Sequence, residues 1–190
     1  MVYKRVILKR GKEESLKRFH PWVFSGAIAR MDNIEEGDLV TVYDHEGNLI
    51  GNGHYQIGSI AVRILTFDDT EIDSAFFVKR LTEAFKMRQA LGLSRPDNNA
   101  FRLVHGEGDF LPGLVVDIYG STAVMQAHSP GMHFARNLIA DALTQLPNGV
   151  VKNVYYKSET TLPYKAQLYP QNEYIVGVYD SYVATENGLK

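Results

Sequence analysis

Apolar and polar positions follow two different periods along this chain, and the change of period divides it. In the first third, short β-branched or aromatic runs recur: Val6-Ile7-Leu8, Trp22-Val23-Phe24, Leu39 to Tyr43, Leu49 to Tyr55 and Ile60 to Phe67. Turn-forming clusters separate them, namely Lys9-Arg10-Gly11-Lys12, Ser25-Gly26, Glu35-Glu36-Gly37-Asp38 and Asp44-His45-Glu46-Gly47-Asn48. Glu13 to Arg18 is read as one or two helical turns. Pro21 disfavours helix at His20, so the chain extends into Trp22. Short strands at this spacing predict a small closed or half-closed β-barrel. A unit of about 70 residues needs large side chains inside, so Trp22 and Phe24 are expected in its core.

After Phe67 the period lengthens to that of a helix. Ile72, Phe76, Phe77, Leu81, Ala84, Phe85, Arg88 and Leu91 are spaced to share one face. Thr70 or Asp73 can cap this helix, and Gly92 suits a left-handed stop followed by the apolar Leu93. Lys79, Arg80, Lys86 and Arg88 are read as its solvated outer face. Ser94 to Asn99 is a polar, Pro-containing linker.

Beyond the linker, strands are predicted over Phe101–Val104, Leu114–Tyr119, Ala123–Ala127, Val150–Tyr156 and Tyr174–Val178. Ser129-Pro130 opens a helix as cap and first residue, with Phe134, Leu138, Ile139, Ala142, Leu143 and Leu146 as its buried face. The fold class expected is mixed β and α+β. A small barrel occupies 1–70 and a connecting helix with its linker 71–94. An α+β domain, with an antiparallel sheet and one packed helix, occupies 95–185.

Composition narrows the chemistry. The 190 residues are 45% hydrophobic and 22% charged, without a cysteine. Disulfides and thiolate metal sites are thereby excluded, and a reducing cytoplasm is compatible. No apolar run approaches the ~18 residues of a membrane span, and the start at Met1-Val2 leads into no signal-peptide core. The net charge of −2 conceals an asymmetry: residues 1–30 hold eight Lys or Arg against two Glu, and the remainder is acidic. A basic patch on an acidic body indicates one face for an anionic partner.

Three runs invite a catalytic or ligand reading. His105-Gly106-Glu107-Gly108-Asp109 places polar side chains at alternate positions, as a hard cation or an acid–base pair requires. The simpler reading is a tight acidic loop whose carboxylates accept backbone N–H bonds. Gly51-Asn52-Gly53-His54-Tyr55-Gln56 begins like a dinucleotide loop, but a strand rather than a helix N-terminus follows it. The histidines form no zinc-type pair. The third run is Arg18-Phe19-His20-Pro21-Trp22-Val23-Phe24, preceded by Lys4, Arg5, Lys9, Arg10, Lys12 and Lys17. Closely spaced cations neutralise phosphates, and exposed rings stack on bases.

Two of these runs carry a resemblance. Arg18 to Ile28 resembles the opening of the PUA domain in bacterial ribosomal RNA large subunit methyltransferases of type I. Phe101-Arg102-Leu103-Val104, Glu107, Asp109, Leu111-Pro112-Gly113-Leu114 and Asp117-x-Tyr119-Gly120 resemble the central domain of that family, in register. The resemblance implies a PUA-type barrel that docks RNA, here 23S rRNA. It also implies that an S-adenosylmethionine-dependent cytosine-C5 methyltransferase domain follows in the family. Residues 186–190 resemble the entry to that domain, so a truncated fragment is expected, with no cofactor and no metal of its own.

Methylation at cytosine C5 needs a nucleophile at C6, normally a thiolate, and this chain has no Cys. The residues assigned to RNA are Lys9, Arg10, Lys12, Lys17, Arg18, His20 and Arg63. Rival readings are a free-standing RNA-binding or adaptor protein and a metal-dependent hydrolase built on Glu107 and Asp109. Exposed sheet edges in the second domain would permit a homodimer.

Overall fold

The computed structural model describes residues 3–179 and 183–190. Met1 and Val2, and residues 180–182 of the expected 95–185 unit, lie outside the described residues.

The first half is a six-stranded sheet. Its strands are β1 (Lys4–Leu8), β2 (Trp22–Phe24), β3 (Ile28–Met31), β4 (Leu39–Tyr43), β5 (Leu49–Tyr55) and β6 (Ile60–Thr66), with a short helix α1 (Glu14–Lys17) after β1. The order across the sheet is β2-β6-β5-β4-β1-β3. β1 runs parallel to β4, and every other pair is antiparallel. β2 and β3 therefore occupy opposite edges, yet only a 3-10 turn over Ser25–Ala27 joins them. Flat strands would hold those edges roughly 24 Å apart, whereas four residue steps span at most about 14 Å. The sheet must curl, and it closes on Val6, Leu8, Leu16, Val23, Val40, Val42, Ile50, Val62 and Ile64.

Gly51 and Gly53 make the curl possible. A Cβ on either would lie 2.1 Å from a β6 carbonyl oxygen, that of Thr66 or Arg63. The Gly-Asn-Gly run thus serves close strand approach within β5 and forms no phosphate loop.

The second half opens with α2 (Ser74–Ala90). The Asp73 carboxylate accepts the Phe76 N–H at 2.9 Å as its cap, and Gly92 ends it with φ +70°. The sheet that follows comprises β7 (Ala100–His105), β8 (Leu114–Tyr119), β9 (Thr122–Ala127), β10 (Asn153–Tyr156) and β11 (Glu173–Val176), in the order β11-β10-β9-β8-β7. Phe76, Phe77, Leu81, Ala84 and Phe85 of α2 share one core with Leu103, Val116, Met125, Ile139 and Tyr156. The helix expected as a connection is thus a packed layer of this half.

Four expectations require correction. The sheet is antiparallel except between β9 and β10, which run parallel because a helical crossover joins them. That crossover is two helices, α3 (Pro130–Phe134) and α4 (Arg136–Thr144), rather than one. Phe134 and Leu138 leave the core because α3 turns toward the barrel, where Phe134 packs over Gly37. In α2, Leu91 is exposed at the C-terminal cap, whereas Arg88 is buried.

Candidate nucleic-acid interface

β2 is three residues long, and period-2 alternation puts its middle residue on one face and both neighbours on the other. Val23 faces the barrel core at 2% exposure. Trp22 and Phe24 therefore point outward, Trp22 half-buried and Phe24 49% exposed. The expectation that both rings fill the core is overturned. Val23, not its larger neighbours, holds the inward phase.

The outward face has a defined register. Trp22 lies opposite Arg63 across β2 and β6, and Arg63 lies opposite His54 across β6 and β5. These three side chains form a row on the outer wall of the barrel. The second half covers one end of that row. The His54 ring packs so tightly on Gly131 of α3 that a Cβ there would come within 2.1 Å of it. Burial, and then the charge of Arg63, push the His54 imidazole down to about 4.

At the other end, the Trp22 indole N–H donates to the Glu107 carboxylate at 2.8 Å. Glu107 sits on a 3-10 turn over Gly106–Asp109, between β7 and β8. Asp109 anchors that turn. It receives both terminal nitrogens of Arg88 at 2.7 Å, and also the His105 N–H. With Asp109 buried and paired to Arg88, and Glu107 paired to Trp22, the carboxylates share no cation site. No cluster of three or more metal-ligating side chains occurs among the described residues.

Between the barrel and the second sheet lies a cleft of about 340 Å³, lined by Arg63, His105, Glu107, Leu114, Val115 and His128 among others. Arg63 is half-buried, and the oxygen of Gln56 accepts from its guanidinium. Burial pulls its pKa down, opposed by the carboxylates of Glu107 and Glu36. His128 is lowered by burial and by Arg102, against Glu107.

The N-terminal cations lie beside this wall. Lys9, Arg10, Lys12, Lys17, Arg18 and His20 are all exposed. The Lys9 ammonium donates to the Gly26 carbonyl at 2.8 Å, and Lys17 lies 3.9 Å from both Glu13 and Glu14. Lys4 and Arg5 are neutralised by Asp38 and Asp32. Among the described residues, Lys9, Arg10, Lys12 and Arg18 form no ion pair. His20 joins the rings: its centroid is 5.4 Å from Trp22 and 6.5 Å from Phe24, and its Nδ1 accepts the Trp22 backbone N–H at 3.3 Å. Phe19, 68% exposed, meets Phe67 edge-on.

The curled barrel and its motif match a known family model, that of the PUA-like domain, over residues 6–67. This stretch is a PUA-like domain. The chain is 41% identical over 145 residues to ribosomal RNA large subunit methyltransferase I of Escherichia coli strain SMS-3-5. The protein of the same name from Klebsiella pneumoniae strain MGH 78578 is 40% identical over 148 residues. These alignments cover 75% and 76% of this chain, and 36% and 37% of the relatives. The chain thus spans about a third of the length of the curated relatives it matches. A putative SAM-dependent methyltransferase from Streptococcus mutans superimposes on 99% of this chain and 47% of its own, with a TM-score of 0.77 and 17% identity. A putative methyltransferase solved with SAH gives the same score over 99% of this chain and 46% of its own. These two show that the fold is shared, second half included.

On the PUA-like domain, the expected RNA-binding residues fall into two groups. Lys9, Arg10, Lys12, Lys17, Arg18 and His20 gather near the β1–β2 connection. Arg63 stands apart on β6, facing the second half. Sequence reasoning missed Glu107 as the indole acceptor, Gln56 as the partner of Arg63, and His128 of the cleft. No local signal pointed to them, because each partner lies on another element of the fold.

Proposed function

We propose that these residues are the RNA-recognition part of an S-adenosylmethionine-dependent 23S rRNA cytosine-C5 methyltransferase. One observation supports this most: unpaired Lys9, Arg10, Lys12 and Arg18 are exposed on the β1–β2 connection that leads into the rings of His20, Trp22 and Phe24, on a PUA-like domain. Cations without carboxylate partners are free to displace counterions from phosphates. Rings with open faces offer stacking at roughly 1–3 kcal/mol per base. The similarity to ribosomal RNA methyltransferases supports rRNA as the substrate class, and with it a cytoplasmic location. No helix among the described residues is long and apolar enough to cross a membrane.

The methyl-transfer step is assigned to sequence outside these 190 residues. Addition to a pyrimidine C6 requires a nucleophile such as a thiolate, and the chain has no cysteine. Its own part is to bind rRNA and hold it in register for that chemistry. Hydroxyl-radical footprinting on 23S rRNA tests this. The expected result is one compact protected region that disappears in Lys9→Ala/Arg10→Ala/Arg18→Ala. Uniform weak protection, unchanged by the triple substitution, contradicts it.

A further inference from the structure

We propose that the cleft between the barrel and the second sheet takes one unpaired nucleotide of the bound RNA. Its phosphate lies on Arg63, and neighbouring bases stack on His20, Trp22 and Phe24. This rests on the RNA-binding reading above and names the state of the RNA it selects: single-stranded rather than duplex.

Arg63 carries the argument. A guanidinium has five N–H donors, and among the described residues only Gln56 accepts from this one. The carboxylates of Glu107 and Glu36 act on it as charges without closing an ion pair. The remaining donors are open to solvent rather than buried, so an anion can reach them, and the planar fork matches a phosphate.

The cleft is also the right size and in the right place. At about 340 Å³ it lies at the small end of ligand sites, which suits one nucleotide and excludes a duplex. A continuous path of contacts joins it to the basic run. Lys9 holds Gly26, two residues after Phe24; Phe24 and His20 both meet Trp22; and Trp22 donates to Glu107 on the cleft wall. The Trp22 bond uses Glu107 Oε1, which leaves Oε2 to accept from the exocyclic amine of a base.

The ring geometry favours unpaired bases. His20 and Phe24 each approach Trp22 edge to face, at 87° and 89°, rather than stacking flat against it. Each such contact covers one face of one ring; the exposed His20 and Phe24 keep faces open, and only unpaired bases have faces to offer in return. Phe19 adds a further exposed ring, held out by a left-handed backbone at φ 62° that a bulky residue rarely adopts.

The test is fluorescence anisotropy with the whole 190-residue chain and a labelled oligo(C) of about 12 nucleotides, a length within the site sizes of single-strand binders, alone and annealed to its complement. The expected result is at least about tenfold tighter binding of the single strand. Arg63→Ala should bring it down to the duplex level, and Arg63→Lys, which keeps the charge but not the fork, should abolish most of the preference. Melting temperatures of both variants within about 3 °C of the parent establish that the fold is kept. If Arg63→Ala fails that control, Arg63→Lys decides. Equal binding of both RNAs, insensitive to Arg63, would overturn the cleft proposal and leave RNA binding by charge intact. Absence of binding to either RNA would remove the RNA-recognition reading and this inference with it.

Discussion

The indole N–H of Trp22 donates to the carboxylate of Glu107 across the boundary between barrel and second sheet, at 2.8 Å. One residue lies within the Arg18 to Ile28 motif and the other in the acidic run considered for a cation or an acid–base pair. Their bond gives both a positional role, joining the aromatic wall to the cleft.

Because Trp22 is the chain's one tryptophan, its fluorescence reports this bond without labelling. Glu107→Ala should shift the emission to the red and lower stability by about 1 kcal/mol, since the bond is charge-assisted but partly in water. An unchanged spectrum would show that the indole is held by other neighbours.

The pair Arg88 and Asp109 should behave differently. Both are buried, and Arg88→Met alone strands a carboxylate, at a cost of about 3–5 kcal/mol by urea denaturation. Arg88→Met with Asp109→Leu should recover much of that stability, because an apolar pair leaves no unpaired charge. A double variant as unstable as the single one would mean that the Asp109 bond to the His105 N–H matters more than the ion pair.

Gly131→Ala places a methyl group into the His54 ring. Overpacking of this kind costs about 1–3 kcal/mol, and it falls on the junction between the halves. His54→Ala in the same chain should relieve it. Additive losses in the double-mutant cycle would show that the two residues do not meet.

His54 also sets a pH dependence. Its folded value of about 4 lies below the ordinary 6.5, so the unfolded chain binds the extra proton between those values. Stability from this group is complete above pH 6.5 and declines as pH falls toward 4, on the order of 3 kcal/mol in all. His54→Gln should flatten the stability curve over that window. An unchanged slope would mean that the ring is not buried neutral.

Five of the six barrel strands were readable locally because each run is bounded by turn formers; β3, a short and mostly exposed edge strand over Ile28–Met31, was missed. The phase of β2 was not readable either. In a three-residue strand, large side chains argue for one face and the barrel's need for a β-branched plug argues for the other; Val23 won. Arg88 illustrates a second limit. Its charge fits a solvated helix face, and the carboxylate that buries it lies 21 residues away on another element. The parallel β9–β10 pair depends likewise on a crossover whose packing against α2 has no local signature. The exposed cations were legible because like charges in a short turn cannot all be buried. Arg63 became a cleft residue only once Gln56 and Glu107 were placed around it.

The salt dependence of RNA affinity tests the central claim most directly. Log affinity should fall linearly with log salt, and Lys9→Ala/Arg10→Ala/Arg18→Ala should make the slope shallower by roughly 0.7–0.9 for each phosphate no longer neutralised. A slope identical in the parent and the triple variant would mean that these cations are only solvated, and would contradict the account.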